Sequence, residues 1–124
     1  MKKILYIEDD LRQASLLQNR IEANGYIFLY AKDGHQGLEK VSRDKPDLVI
    51  LDVLMSKIDG FDVCKSLKQQ PETSHIPVVV LTGLKFEYIK ERFEEAGADA
   101  CLNKPYDSGQ LIAKIQELLG EEIS

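Results

Sequence analysis

Five times along its 124 residues this chain sets a short, nearly unbroken apolar run before a longer segment whose apolar residues recur at helical spacing. No other feature constrains the fold as tightly. A strand without the polar alternation of a half-exposed sheet is a strand covered on both faces. Parallel pairing also needs a crossover of a dozen or more residues, and each intervening segment can supply one. The runs are KILYIE (3–8), YIFLYA (26–31), DLVILD (47–52), PVVVLT (77–82) and ACLN (100–103). Between and after them lie stripes at helical spacing: Ala14, Leu17 and Ile21; Leu38 and Val41; Phe61, Cys64 and Leu67; Phe86, Ile89, Phe93 and Ala96; Leu111, Ile115 and Leu118. Asn24-Gly25 and Gly97 are helix stop signals, and Asp107 with Gln110 resembles a capping box for the last helix. The pattern predicts the α/β class: a doubly wound (βα)5 sandwich around a five-stranded parallel sheet.

A chain of this length suits one domain, 1–124 with its core over about 3–120, and can bury that core without staples. Cys64 and Cys101 have neither metal-ligand nor redox spacing and read as small buried thiols in a reducing compartment. With 21 acids against 16 bases the net charge is −5, which argues against direct nucleic-acid binding by this domain. No apolar run approaches the roughly 20 residues of a membrane helix, so no membrane contact is expected. MKKILYIEDD meets acids too early for a signal peptide, and the expected location is the cytoplasm. Only GEEIS follows the last stripe, so no output domain is expected in this chain.

In a doubly wound sheet ligands bind beyond the carboxyl ends of the strands. Those ends carry Glu8-Asp9-Asp10, Asp52, Thr82-Gly83 and Lys104-Pro105. Each has an ordinary explanation alone. Asp9 or Asp10 could cap the first helix, Asp52 could open a turn, Thr82 could be a strand residue, and Lys104 could be a solvated lysine. Together they are harder to dismiss, because the fold brings all four ends to one rim. Clustered carboxylates repel unless a cation joins them, and Mg2+ suits a site of carboxylates, carbonyl oxygen and water. An aspartate beside a metal ion, an ammonium and a hydroxyl is equipped to attack phosphorus.

From KILYIEDD through LVILDVLMSKIDG and VVVLTG to LNKPY, the chain resembles the receiver domain of two-component response regulators (the CheY-like superfamily). The resemblance covers nearly the whole chain and implies a flavodoxin-like strand order, 2-1-3-4-5. It makes Asp52 the phosphoacceptor, Asp9 the direct Mg2+ ligand, Glu8 its partner acid, and the Leu54 main-chain carbonyl a further ligand. Thr82 and the Gly83 N–H would bind the phosphoryl group, and Lys104 would pair with its oxygens. Asp10 matches no site position and keeps its role at the helix start. The family's lysine–proline bond is usually cis, so the same is expected of Lys104-Pro105. The implied function is that of a switch rather than an enzyme acting on other molecules. A sensor histidine kinase or a histidine phosphotransfer protein donates the phosphoryl group to Asp52. The fourth helix, fifth strand and fifth helix then repack toward a downstream effector, and the acyl phosphate is slowly hydrolysed. The domain would be a monomer or a phosphorylation-dependent dimer.

Three departures from the family pattern matter. Ser56 stands after Met55 where a proline is usual, so a less rigid loop is expected there. Cys101 stands where the family carries its switch aromatic, and a thiol cannot swing a ring between buried and exposed positions. Leu54 and Leu84, each two residues beyond a site residue, offer no side-chain help to an attacking water, so a long-lived phosphorylated state is expected. On the first helix Leu16 lies opposite the core stripe and is a candidate kinase-docking contact; scattered surface leucines are equally common. Tyr88 and Tyr106 mark a candidate output face. Two competing functions remain: a docking module of the same fold that takes no phosphate, and an aspartate-nucleophile phosphohydrolase. The latter resembles the haloacid dehalogenase family, which needs an acid where this chain has Leu54.

Overall fold

The computed structural model describes residues 1–52, 60–83 and 86–121, with the backbone alone for 86–90. The elements are β1 (Lys3–Ile7), α1 (Leu11–Ala23), β2 (Ile27–Ala31), α2 (Gly34–Asp44), β3 (Leu48–Asp52), α3 (Gly60–Gln69), β4 (Val78–Thr82), α4 (Phe86–Ala96), β5 (Ala100–Asn103) and α5 (Ser108–Leu118). All strands pair in parallel, in the order β2-β1-β3-β4-β5. The order reverses between β1 and β3, which opens the crevice where such sheets bind ligands.

Side-chain alternation divides the core in two. Leu5, Ile7, Val49, Leu51, Val78 and Val80 pack with Val41, Phe61, Cys64, Leu67 and Phe93 from α2, α3 and α4. Ile4, Tyr6, Leu48, Ile50, Val79 and Leu81 pack with Ala14, Leu17, Ile21, Leu111 and Ile115 from α1 and α5. Every residue of β3 and β4 is buried, the cause of the unbroken apolar spelling. Leu38 and Leu118 lie inward but only partly buried, while Ile112 is buried without having been singled out by the stripe.

Four strand boundaries fall one residue inside their predicted limits; β3 begins at Leu48, although the Asp47 N–H before it donates to the Lys3 carbonyl at 2.8 Å. Tyr26 is spent on the helix exit, where its N–H donates to the Ile21 carbonyl at 3.3 Å. Pro77 has no N–H for the ladder, although its carbonyl accepts from the Val49 N–H at 3.0 Å. Glu8 still donates its N–H to the Ala31 carbonyl at 3.0 Å, but β1 ends at Ile7. The stops behave as expected, with Gly25 at φ +84° and Gly97 at φ +93°. Asp10 caps α1 by accepting from the Arg12 N–H at 2.9 Å. Asp107 accepts from the N–H groups of Gly109 and Gln110, the first half of the expected box.

Candidate functional site

The register sets the heights of the rim residues. Ile7 lies beside Leu51, so Glu8 follows level with Asp52. Asp52 lies beside Leu81, Thr82 follows one step beyond, and Thr82 in turn lies beside Asn103, the residue before Lys104. Four strand ends thus deliver Glu8, Asp52, Thr82 and Lys104 to one place. Asp52 and Thr82 are almost completely buried, as is Glu8.

A buried carboxylate needs a partner, and the fold supplies one. The Lys104 ammonium pairs with Asp52 Oδ2 and stands 3.7 Å from Glu8 Oε2. It also donates to Gln13 Oε1 of α1 at 2.8 Å. Glu8 Oε2 accepts from the Tyr6 hydroxyl at 3.2 Å, and its Oε1 from the Asp10 N–H at 3.1 Å. Burial first, then hydrogen bonding with Asp52, push the Glu8 carboxyl up to about 8, against the opposing pull of the Asp10 N–H. One lysine thus faces two neighbouring acids, and the protonated form of Glu8 is favoured by burial and by Asp52. Asp9 sits beside them at the exposed lip. Burial also raises the phenols of Tyr6 and Tyr106, with Lys104 acting in the opposite direction on Tyr106.

The remaining site residues fall as follows. The Thr82 carbonyl accepts from the Lys104 N–H at 2.7 Å and from Asn103 Nδ2 at 3.4 Å, locking β4 to β5 at the rim. Gly83 is exposed, and no atom of the described residues lies within 4 Å of where a Cβ would stand. The Lys104-Pro105 peptide bond is cis, as expected. Cys101 is half-buried and packs on the α3 and α4 side of the sheet. Leu16 is 74% exposed and Leu11, nearer the rim, 68%. Leu54, Met55, Ser56 and Leu84 lie outside the described residues, as does the side chain of Tyr88. A cavity of about 800 Å³, lined by Lys45, Asp47, His75 and Leu119 among others, lies toward the opposite ends of the strands.

Sequence reasoning missed three contributors. Tyr6 was legible as the residue two before Glu8 in a strand, hence on the same face. Tyr30 donates its hydroxyl to the Glu8 carbonyl from β2, which only the strand order brings alongside. Gln13 has no motif at all.

Among the described residues no three histidine, cysteine or acidic side chains form a ready metal cage. Mg2+ does not require one, because it keeps several waters and binds through one or two carboxylates. The donor chemistry fits: Glu8 and Asp52 are close enough for hydrogen bonding to raise the Glu8 carboxyl, and Asp9 adjoins them. Such oxygens are hard ligands whose mutual repulsion a cation would relieve.

A family model described as the response regulator receiver domain matches residues 4–116. The alkaline phosphatase synthesis transcriptional regulatory protein PhoP of Bacillus subtilis is 38% identical over 118 residues, which cover 95% of this chain and 48% of that protein. The chain thus spans about half the length of this curated relative. Among solved structures, the signal receiver domain of a signal transduction histidine kinase from Syntrophus aciditrophicus superposes with a TM-score of 0.90 at 35% identity, covering 100% of this chain and 98% of that one. The signal receiver domain of a DNA binding response regulator from Colwellia psychrerythraea gives 0.91 at 30% identity, covering 98% and 100%.

Proposed function

Because the chain belongs to the response regulator receiver domain family, we propose that Asp52 is its phosphoacceptor and that a phosphohistidine of a partner protein is the donor. The observation that carries this reading is the buried Asp52–Lys104 pair at the carboxyl rim, with Glu8 beside it and Thr82 at the neighbouring strand end. Asp52 Oδ attacks phosphorus, the P–N bond to the donor imidazole breaks, and the imidazole leaves with the electron pair and takes up a proton. Hydrolysis later returns Asp52 and inorganic phosphate, with water as the attacking group.

Each rim residue has a part in this chemistry. Lys104 exchanges its Asp52 contact for a phosphoryl oxygen, placing positive charge where the transferring group carries negative charge. The Thr82 hydroxyl and the Gly83 N–H supply further donors to that group. Glu8, Asp9, Asp52 and the Leu54 carbonyl are the residues that would hold Mg2+, which when bound neutralises charge on the acids and the phosphoryl oxygens. The exposed Leu16 and Leu11 on α1 support docking of a histidine kinase or phosphotransfer protein at this edge of the rim. Output passes through α4, β5 and α5 to an effector. With Cys101 in place of an aromatic, that coupling cannot use a swinging ring.

The test is incubation with Mg2+ and acetyl phosphate, followed by intact mass measurement. Wild type should gain one phosphoryl group, and Asp52→Asn should gain none. Failure of wild type, under conditions where a control receiver reacts, would leave the docking module as the better description.

A further inference from the structure

The Lys104 ammonium has three N–H donors and, among the described residues, three oxygen neighbours: Asp52 Oδ2, Glu8 Oε2 at 3.7 Å and Gln13 Oε1 at 2.8 Å. Two of these neighbours have other work in the proposed function. Asp52 becomes an acyl phosphate, and both acids are expected Mg2+ ligands. Neither can be a constant partner for the lysine. Gln13 has no such duty, and it reaches the site from α1, a different element from the strand ends that carry the reacting groups.

The orientation of the amide is determined by its surroundings. Lysine can only donate, so the Gln13 oxygen must face it. The amide oxygen therefore faces the ammonium from the first turn of α1, whose start Asp10 caps by accepting from the Arg12 N–H at 2.9 Å.

We propose that Gln13 is a positioning residue, which holds the Lys104 ammonium at the rim while its acid partners are exchanged for phosphoryl oxygens. This rests on the reading of Asp52 as phosphoacceptor. Gln13 touches neither the attacking oxygen nor the incoming phosphorus, and it acts through the lysine. Its removal should therefore slow phosphoryl transfer without changing the affinity for Mg2+.

The experiment compares wild type with Gln13→Met, which keeps the side-chain length but loses the oxygen, and Gln13→Glu, which keeps an acceptor. Gln13 is exposed, so all three should fold. Acetyl phosphate serves as donor, which removes any effect on protein docking; its P–O bond breaks and acetate leaves with the electron pair. Gln13→Met should phosphorylate about three- to tenfold more slowly at saturating Mg2+, the scale of one partly exposed charged hydrogen bond. The second readout is the nitrogen NMR signal of the Lys104 ammonium in metal-free protein. It should be visible in wild type and Gln13→Glu and broadened by exchange in Gln13→Met. If wild type reacts while Gln13→Met matches it in rate and ammonium signal, the inference is overturned. Equal losses in Gln13→Met and Gln13→Glu would overturn it too, because packing rather than the acceptor oxygen would then be responsible. No reaction by wild type would instead refute the phosphoacceptor reading on which the inference rests.

Discussion

Cys64 shows how much one buried atom can report. Its side chain has no exposed surface, its thiol lies 3.7 Å from the Ala96 carbonyl, and burial pushes its pKa up from the ordinary 9.0 to about 11. The folded protein therefore holds this proton more tightly than the unfolded chain. The resulting stabilisation is complete below about pH 9 and is lost as pH rises toward 11. Its size is on the order of 2–3 kcal/mol at most, from about 1.4 kcal/mol per unit. Urea titrations of wild type and Cys64→Ala at pH 7.5 and near pH 10.5 should show the wild-type advantage shrinking with pH; a constant advantage would contradict the assignment. At the same scale, Leu54 is expected to leave the attacking water without a polar guide. Leu54→Asn should shorten the lifetime of the phosphorylated protein severalfold, as followed by the decay of the phosphorylated mass. An unchanged lifetime would remove the leucine from the account. Cys64 is informative through its burial, and Leu54 through the polar side chain its position lacks.

Elements meet here with little tolerance, as α2 does against β1. A Cβ placed on Gly37 would stand 2.4 Å from Ile7 Cδ1 and 3.0 Å from Ile7 Cγ1. Ile7 is itself fully buried, so its terminal methyl has nowhere to move. Helix propensity favours alanine over glycine by at most about 1 kcal/mol, whereas overpacking a core costs roughly 1–3 kcal/mol. The clash should win, leaving Gly37→Ala destabilised by about 1–2 kcal/mol. Ile7→Val removes the offending methyl, so the double variant should lose less than the sum of the singles in thermal or urea unfolding. Additive losses would mean that α2 can shift instead. A different contact joins α3 to α4: Phe61 and Phe93 stack with centroids 4.1 Å apart, and the Arg92 guanidinium lies 3.6 Å over the Phe61 ring. Helical spacing had placed both phenylalanines in the core, but it could not pair them, because the partner of a stripe is a tertiary choice.

For the molecule as a whole, the proposed site links metal binding to stability. If Glu8, Asp9 and Asp52 hold Mg2+ only when folded, tenfold excess over Kd adds about 1.4 kcal/mol, or roughly 5 °C in Tm for a domain of this size. A chelator should reverse the rise, and Asp9→Asn should abolish most of it; an unchanged Tm at saturating Mg2+ would exclude these acids as its site. The fold was legible in the sequence because strands covered on both faces must be apolar throughout, and five such runs separated by helical stripes leave little but a parallel sheet. The candidate site residues were legible as a group at one rim too, since strand ends are local features and Asp52, Thr82 and Lys104 stand at them. Their strand order, by contrast, came only from the family resemblance. What the sequence determined by itself was therefore the list of elements and the chemistry at their ends. Only the tertiary structure decided which groups share an ammonium: Gln13, 91 residues from Lys104, meets it because α1 packs beside β1 and β3. It also raised the Glu8 carboxyl to about 8, because burial and the neighbouring Asp52 are properties of the assembled rim. Local patterns record what a residue must avoid or adopt along the chain, whereas long-range contacts depend on which faces the folded sheet finally brings together.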